Sequence, residues 1–244
     1  MPEFSDDAIV LDAIPYRDRH QILSVLTREH GLVRGVLRGA RSGKTPAAAA
    51  TQVLSTIRTT VWQKPSAELA TFRAVEPVRP SYPLARDFDR SAAAAAVAEL
   101  LLTFCPAGEP APRHYRLADA VTSELLGGGG PPSLLAYTEL WILQLGGVLP
   151  ALDTCNACGT ELVEGFRTHP AEGLPLCPDC APPGAGRVDR APAEFLRRAL
   201  RIPPDELPPA PPGGAVRWLD RRVRDEAHRP LKALDFFRRH AGGR

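Results

Sequence analysis

Two pairs of cysteines constrain the fold of this 244-residue chain more than any other feature of its sequence. Two residues separate the members of each pair, and eighteen residues separate Cys155 and Cys158 from Cys177 and Cys180. This spacing is typical of a zinc site in which two tight turns each present two sulfur atoms to one ion. Because all four ligands are cysteines, no coordination position is left for water or substrate. We therefore predict one structural zinc ion, with four free or disulfide-bonded cysteines as the alternative.

The cysteines and the apolar segments also indicate where the protein resides. Thiolates hold metal in a reducing compartment, whereas secreted chains tend to form disulfides. The longest apolar stretches are interrupted by Glu99, Glu139 and Gln144 and fall short of a membrane span. The first seven residues contain three acidic residues, where a secretory signal carries basic ones. We expect a cytoplasmic protein with no membrane partner.

The first eighty residues contain five short apolar runs separated by turn residues, a pattern that predicts β-strands. The five predicted strands are 8–14, 21–27, 32–37, 53–62 and 68–75. Residues 28–31 form the predicted hairpin connection between the second and third strands, with Gly31 free to take a positive φ. Five short strands close most economically into a small barrel. The pattern leaves both an OB-fold and an SH3-like barrel open.

Helix-forming residues predominate after residue 80 and predict an α-helical domain, in which Ser133 is the expected N-cap of a central apolar helix. The predicted fold class is therefore α+β and multidomain: a small N-terminal β-barrel, then an α-helical domain that carries the four-cysteine zinc-binding insertion. The predicted domains are 1–80 for the barrel, 81–150 with 187–244 for the helical domain, and 151–186 for the zinc-binding module.

Charge is distributed unevenly along the chain, although the net charge is +2. Lys and Arg outnumber Asp and Glu by 11 to 8 in residues 1–80 and by 14 to 8 in residues 187–244. Acidic residues lead by 12 to 5 in residues 81–186. Two basic ends suggest a polyanionic partner for those ends.

Four cations of the barrel are the predicted phosphate contacts: Arg34, Arg38, Arg41 and Lys44. Arg34 and Arg38 are four residues apart and share one face of a strand, and glycines such as Gly35 let the backbone approach a polyanion. Aromatic stacking partners are few, with Tyr16, Trp62 and Phe72 available. The alternative interpretation is a solvated barrel rim.

Other functions fit the sequence less well. A nucleotide-binding loop needs four residues between its glycines, and three lie between Gly39 and Gly43. An enzyme with a Mg²⁺ site would need clustered carboxylates, and the acidic pairs are scattered. A zinc-ribbon nucleic-acid-binding factor of transcription or translation remains the alternative function. Between Cys155 and Cys180, however, the sequence has one basic residue, Arg167, and four acidic residues, so this module is a poor phosphate binder.

Several segments together resemble the RecO family of bacterial recombinational repair mediators. The most specific is 145–159, LGGVLPALDTCNACG, and it is accompanied by 8–11, AIVL, and 22–27, ILSVLT. The closing segment 229–238, RPLKALDFFR, is similar to the end of that family's sequences. Tyr16 and Arg17 stand where the family usually has Gly-Glu.

The resemblance implies a DNA-binding OB-fold, partnership with RecR, and docking on the acidic C-terminal tail of single-strand-binding protein. It implies a mediator of the RecF pathway that binds single- and double-stranded DNA, anneals complementary strands and helps to load RecA, with no enzymatic reaction. Bacterial cytoplasm and, when DNA is bound, the nucleoid are the implied locations. Residues predicted to contact DNA or a partner are Arg19, Arg229, Lys232, Arg238 and Arg239.

Overall fold

The computed structural model describes residues 3–40, 50–64 and 67–240. Arg41 and Lys44, two of the predicted phosphate contacts, lie outside the described residues. The chain divides into two compact units, one comprising 1–128 with 232–244 and the other comprising 129–231. The three domains anticipated from the sequence stay a prediction.

Five strands form a closed barrel in the first unit, as the alternating apolar pattern predicts. They are β1 (Glu3–Tyr16), β2 (His20–Thr27), β3 (Gly31–Leu37), β4 (Thr56–Trp62) and β5 (Ala70–Arg79). The strand order is β1-β2-β3-β5-β4, and β4 pairs back to β1. The β3–β5 pair is parallel, with Leu37 opposite Phe72. This order is that of the OB-fold, so the choice that periodicity left open is decided by long-range pairing.

Alternation along each strand places apolar side chains inside the barrel and polar side chains outside. Val25, Ile57 and Phe72 are among the residues that fill the core, each at most 2% exposed. Gly35 of β3 is buried against β5, where a Cβ atom would lie 2.7 Å from the carbonyl oxygen of Ala70. The interpretation of Gly35 as a point of approach for a polyanion is therefore wrong, because this glycine permits strand contact.

The first strand is longer than the apolar run that predicts it. Glu3 to Asp7 pair with β4, in the register Glu3 opposite Trp62 and Asp7 opposite Arg58. These residues are mostly polar because one face of the strand is exposed, and apolar runs alone miss such an edge. The fourth strand begins later than predicted, after Leu54, whose φ of 65° interrupts extended backbone.

Six α-helices follow the barrel within residues 81–240. They are α1 (Phe88–Phe104), α2 (Pro112–Gly127), α3 (Pro131–Leu145), α4 (Arg190–Ala199), α5 (Gly213–Ala227) and α6 (Lys232–His240). Helix α3 is buried nearly all round, as predicted, but its N-cap is Gly130. Ser133 is a buried residue of the first turn, so its predicted capping role is wrong. Proline at the start of α3 explains the earlier beginning, since its fixed φ suits that position.

Helices α1, α2 and α6 belong to the first unit. The Glu99 carboxylate of α1 accepts the backbone N–H groups of Ala233 at 2.9 Å and Leu234 at 3.0 Å. These donors are among those that a helix leaves unsatisfied at its N-terminus, so Glu99 caps α6 from another helix. Leu234 and Phe237 are fully buried. The C-terminal helix is thereby fixed to α1 at its first turn and along one face.

The second unit combines α3, α4 and α5 with a small antiparallel sheet. Its strands are β6 (Gly165–Thr168), β7 (Pro175–Leu176) and β8 (Gly186–Asp189), in the order β7-β6-β8. Strands of two to four residues are too short for an alternating pattern to reveal. Across the described parts of the chain, no helix combines the length and the apolarity that crossing a membrane would require.

Candidate metal centre and nucleic-acid interface

Two tight turns bring the four cysteines together in the second unit. In the first turn, the amide of Gly159 donates to the carbonyl of Cys155 at 2.9 Å, and Gly159 has a φ of +76°. Asn156 donates through Nδ2 to the carbonyl of Pro175 at 2.9 Å, which joins this turn to β7. The second turn runs from 178 to 180. Both turns are those that the cysteine spacing predicts.

The four sulfur atoms, here called the cysteine cluster, have the spacing of a tetrahedral metal site. All four Sγ atoms lie within 4.8 Å of one another, and those of Cys158 and Cys177 are 3.7 Å apart. Zinc–sulfur bonds of about 2.3 Å in a tetrahedron place the sulfurs about 3.8 Å apart. The cluster therefore has the ligand atoms and the dimensions to hold a metal ion.

Local hydrogen bonds shift the pKa values of the cysteine cluster in both directions. Burial acts to raise the pKa of the Cys155 thiol, but the backbone amides of Cys177 and Cys158 help to outweigh it and lower this pKa to about 6. The hydroxyl and amide of Thr160 lower the pKa of Cys158. By contrast, hydrogen bonding with Cys158 and Cys177 raises the pKa of Cys180 to about 12. Cysteine sulfurs are soft ligands, which favour a metal such as zinc.

The cysteine-bearing module packs on α5. Trp218 donates through its indole N–H to the carbonyl of Gly173 at 3.1 Å, and its ring meets Phe166 edge-on at 5.7 Å. Arg222, 7% exposed, donates to the carbonyl of Glu172 at 2.7 Å. Since these contacts use backbone carbonyls of the module, they require that the module be folded. The cluster thus belongs to a packed scaffold, as expected from its closed ligand set.

The predicted cations of the barrel that the structure describes are exposed. Arg34 is exposed on β3 between buried neighbours, and Arg38 is exposed in the turn that directly follows this strand. Arg19 is exposed in the turn before β2. Since β2 and β3 are antiparallel, with Gln21 opposite Leu37, Arg19 and Arg38 lie at the same end of the barrel. The structure therefore brings these two arginines to one rim.

The predicted C-terminal cations are divided between the units. Lys232, Arg238 and Arg239 are on α6 in the first unit, whereas Arg229 belongs to the second. Lys232 and Arg239 are exposed and seven residues apart, so they share a face of the helix. Arg239 donates to the carbonyl of Asp235 at 3.2 Å. Within the first unit, Lys232 and Arg239 therefore lie on one exposed face of α6.

A cleft of about 410 Å³ opens near the ends of β3 and β4 and the beginning of β5. We call it the rim cleft, and its lining residues are Leu37, Arg38, Trp62, Thr71, Phe72 and Arg73. Arg73 and Arg38 are exposed, and the Arg73 guanidinium lies 5.6 Å from the centroid of the Trp62 ring. Glu3 pairs with Arg73 at 2.9 Å. Two cations and an indole thus converge on one concave surface.

Sequence reasoning did not identify Arg73. Strand alternation places its side chain outward, but Trp62 and Arg38 approach it only because β5 pairs with both β4 and β3. Of the aromatic residues considered for stacking, Phe72 is buried in the core at 2% exposure. Tyr16 lies in the β1–β2 corner with the Arg17 guanidinium 5.2 Å from its ring centroid. The sequence signal that could have identified Arg73 is an outward basic residue on a strand that pairs with the strand of the outward Trp62.

Comparison with known families accounts for nearly the whole chain. The N-terminal model of Recombination protein O matches residues 1–81, and its C-terminal model matches residues 85–234. This chain belongs to the RecO family. The N-terminal RecO match contains every residue of the rim cleft, and the C-terminal RecO match contains the four cysteines.

Individual RecO relatives agree with this assignment. The DNA repair protein RecO of Symbiobacterium thermophilum is 35% identical over 82% of this chain and 81% of its own length. That of Geobacter sulfurreducens is 30% identical over 95% of this chain and 96% of its own length. That of Myxococcus xanthus is 28% identical over 97% and 98%, respectively. These RecO proteins are named for DNA repair and not for an enzymatic reaction, and membership implies a role in DNA repair and recombination.

Proposed function

We propose that this protein is a DNA repair and recombination mediator that binds single- and double-stranded DNA through the rim of its barrel. The supporting observation is the match to the RecO family across both units, joined to an OB-fold whose rim carries exposed arginines. In this role it acts in the RecF pathway, anneals complementary strands and, with RecR, helps RecA to replace single-strand-binding protein. It works in the bacterial cytoplasm, at the nucleoid when bound to DNA, and carries out no covalent reaction.

Binding to DNA through this rim is electrostatic. Arg34, Arg38, Arg41 and Lys44 neutralise phosphates, and Arg19 extends the cationic rim towards DNA or RecR. Each neutralised phosphate releases condensed counterions, so affinity falls with salt in proportion to the number of contacts. Such contacts carry no sequence information, which suits a mediator that acts on any gap.

The cysteine cluster holds one zinc ion in a structural role. The ligand atoms fit that ion in number, type and spacing, and no position is left for substrate. The surrounding residues argue against the alternative function of a zinc-ribbon factor, because Glu161, Glu164 and Asp179 accompany Arg167 there. Zinc therefore keeps the second unit folded while other surfaces meet DNA and partners.

Docking of the acidic tail of single-strand-binding protein needs cations beside apolar side chains. A cleft of about 240 Å³ in the second unit combines them, with Leu149, Leu152 and Leu200 next to Arg197 and Arg201. Arg201 is 71% exposed and pairs with Asp153 at 3.3 Å, a weak surface contact that an incoming carboxylate can replace. Arg229 and the α6 cations Lys232, Arg238 and Arg239 add positive charge for a partner or for DNA.

Tail docking is tested with a labelled peptide of that acidic tail. We expect Arg201→Glu to weaken peptide binding, while Arg187→Glu leaves it unchanged. Arg187 is a matched control because it is 67% exposed and pairs with Asp189 much as Arg201 pairs with Asp153. Equal binding by both variants and the wild type would remove this cleft from the proposal.

The DNA-binding proposal is tested by reversing charges on the rim. We expect Arg34→Glu with Arg38→Glu to lower affinity for labelled single strands and duplexes. The magnitude of the negative slope of log affinity against log salt should decrease by about 1.4 for single strands and about 1.8 for duplexes if both arginines contact phosphates. The control is Arg113→Glu with Arg116→Glu, the same charge change on the exposed face of α2. Equal slopes in the two double variants would contradict a phosphate-binding rim.

Partnership is tested by capture of purified RecR on the immobilised protein, together with a strand-annealing assay. We expect RecR to be retained and annealing to lose rate in the rim variant but not in the α2 variant. Failure to retain RecR or to anneal, by a protein that binds DNA normally, would leave a DNA-binding protein without the mediator role.

A further inference from the structure

We propose that the rim cleft is a stacking site for one unpaired nucleobase of single-stranded DNA, with Trp62 as the platform and Arg38 and Arg73 as neighbouring cations. This inference rests on the proposed function, since it assigns a ligand class to part of the DNA-binding rim. It differs from the charge-based proposal because stacking on an indole requires an exposed base, which a duplex does not offer.

The position of Trp62 in the barrel supports this assignment. Along β4, Ile57, Thr59 and Val61 are buried, so Trp62 lies on the alternate, outward face of the strand. An indole is among the most apolar side chains, and a half-buried indole on an outer barrel face leaves stacking surface available. The nearby Arg73 guanidinium, 5.6 Å from its centroid, favours the ring orientation through a cation–π contact.

Strand order places two cations on the β5 side of the platform, because β5 and then β3 follow β4 in the barrel. Thr71 and Arg73 are on β5, which pairs with β4 on one side and with β3 on the other. Arg38 directly follows β3, so it is separated from Trp62 by the width of β5, about 10 Å at the usual strand spacing. A nucleotide whose base stacks on Trp62 can therefore direct its backbone phosphates towards Arg38 and Arg73.

The ion pair between Arg73 and Glu3 can be exchanged for one between Arg73 and a DNA phosphate. Its partner Glu3 is 44% exposed and Arg73 itself is 52% exposed, so water already competes for this ion pair. A DNA phosphate can replace the Glu3 carboxylate as the anion facing Arg73, because both present oxygen acceptors to the guanidinium. Thr71 is half-buried, lines the cleft opposite Trp62 on the neighbouring strand, and offers a hydroxyl to the sugar or base. The cleft volume of about 410 Å³ is within the range of small-ligand sites.

The test compares Trp62→Ala with a matched aromatic outside the cleft. Tyr82 is 54% exposed and has the Arg86 guanidinium 5.7 Å from its ring centroid, so Tyr82→Ala removes a similar aromatic–arginine pair. The full-length proteins are titrated into a labelled single strand and into a blunt duplex of the same sequence, at several salt concentrations. Trp62→Phe is included because a smaller ring still stacks and preserves the fold.

We expect Trp62→Ala to weaken single-strand binding at least about fivefold, since one stacked base contributes about 1–3 kcal/mol. Duplex affinity should change less than twofold, and the salt slope for single strands should stay that of the wild type. Trp62→Phe should be intermediate and Tyr82→Ala unchanged. Single strands should also quench more tryptophan emission in the wild type than in Trp62→Phe, a readout that remains if the alanine variant does not fold.

Two results would overturn the inference alone: wild-type single-strand affinity in Trp62→Ala, or equal losses for single strands and duplexes. In both cases the rim charge reversal would still test the proposed function. If the wild-type protein binds neither DNA form, both the inference and the proposed function fail.

Discussion

The cysteine cluster and the rim cleft are built in opposite ways. The cluster is formed by two turns within 26 residues of one unit, its ligands face one another, and acidic residues surround it. The rim cleft is formed by residues from three strands, its arginines face solvent, and no single segment of the chain contains it. A closed set of ligands suits stability, whereas an open set of cations around an aromatic ring suits binding. Stability and DNA recognition are thus expected to respond to different substitutions.

Removing a metal ligand is expected to have the largest effect, a loss of stability with little change in DNA affinity. Cys155→Ala and Cys177→Ala each leave a three-ligand site, and structural zinc sites contribute about 10–16 kcal/mol in small zinc-binding peptides. We expect loss of bound zinc and loss of cooperative unfolding of the second unit. Metal analysis with scanning calorimetry measures both effects, and single-strand affinity below the unfolding temperature should change little.

Cys105→Ala is the matched control for the ligand substitutions. Cys105 is buried, and burial raises its pKa to about 12, so it is expected to act as a small apolar side chain. This variant should retain one zinc ion and differ little in unfolding temperature. A cysteine-ligand variant that unfolds like the wild type but binds DNA poorly would indicate that DNA binds at the cysteine cluster, and would contradict a binding site on the barrel.

The next largest effect is expected from Arg222, which is not a metal ligand but contacts the cysteine-bearing module from α5. Arg222 is 7% exposed, donates to the carbonyl of Glu172, and pairs with Glu226 at 2.9 Å. Arg222→Ala should lower the free energy of unfolding by about 3 kcal/mol, because the hydrogen bonds of the buried guanidinium to the Glu172 carbonyl and the Glu226 carboxylate are lost. Chemical denaturation measures this change, with the exposed Arg217→Ala on the same helix expected to stay within about 0.5 kcal/mol. Equal destabilisation by the two alanines would show that the buried contacts do not stabilise the module.

A smaller effect is expected in the first unit, which contains both the barrel and the contact of Glu99 with α6. Glu99→Ala removes the acceptor for the amides of Ala233 and Leu234, and loss of a helix cap costs about 1 kcal/mol. Faster hydrogen exchange at these two amides is the measurement. Glu99→Gln keeps an acceptor oxygen and should exchange more slowly than Glu99→Ala. Unchanged exchange in both variants would contradict the capping role of Glu99.

The smallest effect is expected at Glu3, the carboxylate that pairs with Arg73. Glu3→Gln removes an anion that competes with phosphate, so single-strand affinity should rise by about twofold, the size of a weak surface ion pair. Glu76→Gln, on β5, makes the same charge change elsewhere on the barrel and is the control. An equal rise in both variants would indicate a general charge effect and no specific exchange at Arg73.

The two regions also differ in how far the sequence predicts them. The cysteine cluster follows from local spacing, because each turn is fixed by residues between its own ligands. The barrel strands follow from alternation, but the β1–β4 closure and the parallel β3–β5 pair depend on contacts between distant residues. The sequence therefore did not predict Arg73 as a site residue, although alternation along β5 indicates that its side chain points outward. The sequence did not predict strands β6 to β8 either, because two to four residues are too few to show an alternating pattern.

The most direct measurement is photo-crosslinking of the full-length protein to a bromodeoxyuridine-substituted single strand, followed by peptide mapping. We expect the adducts to lie on peptides that contain Trp62 or the Arg38 and Arg73 region of the rim cleft. Adducts concentrated on peptides from residues 155–180, with the rim peptides unmodified, would contradict the division between a metal-bound scaffold and a DNA-binding barrel.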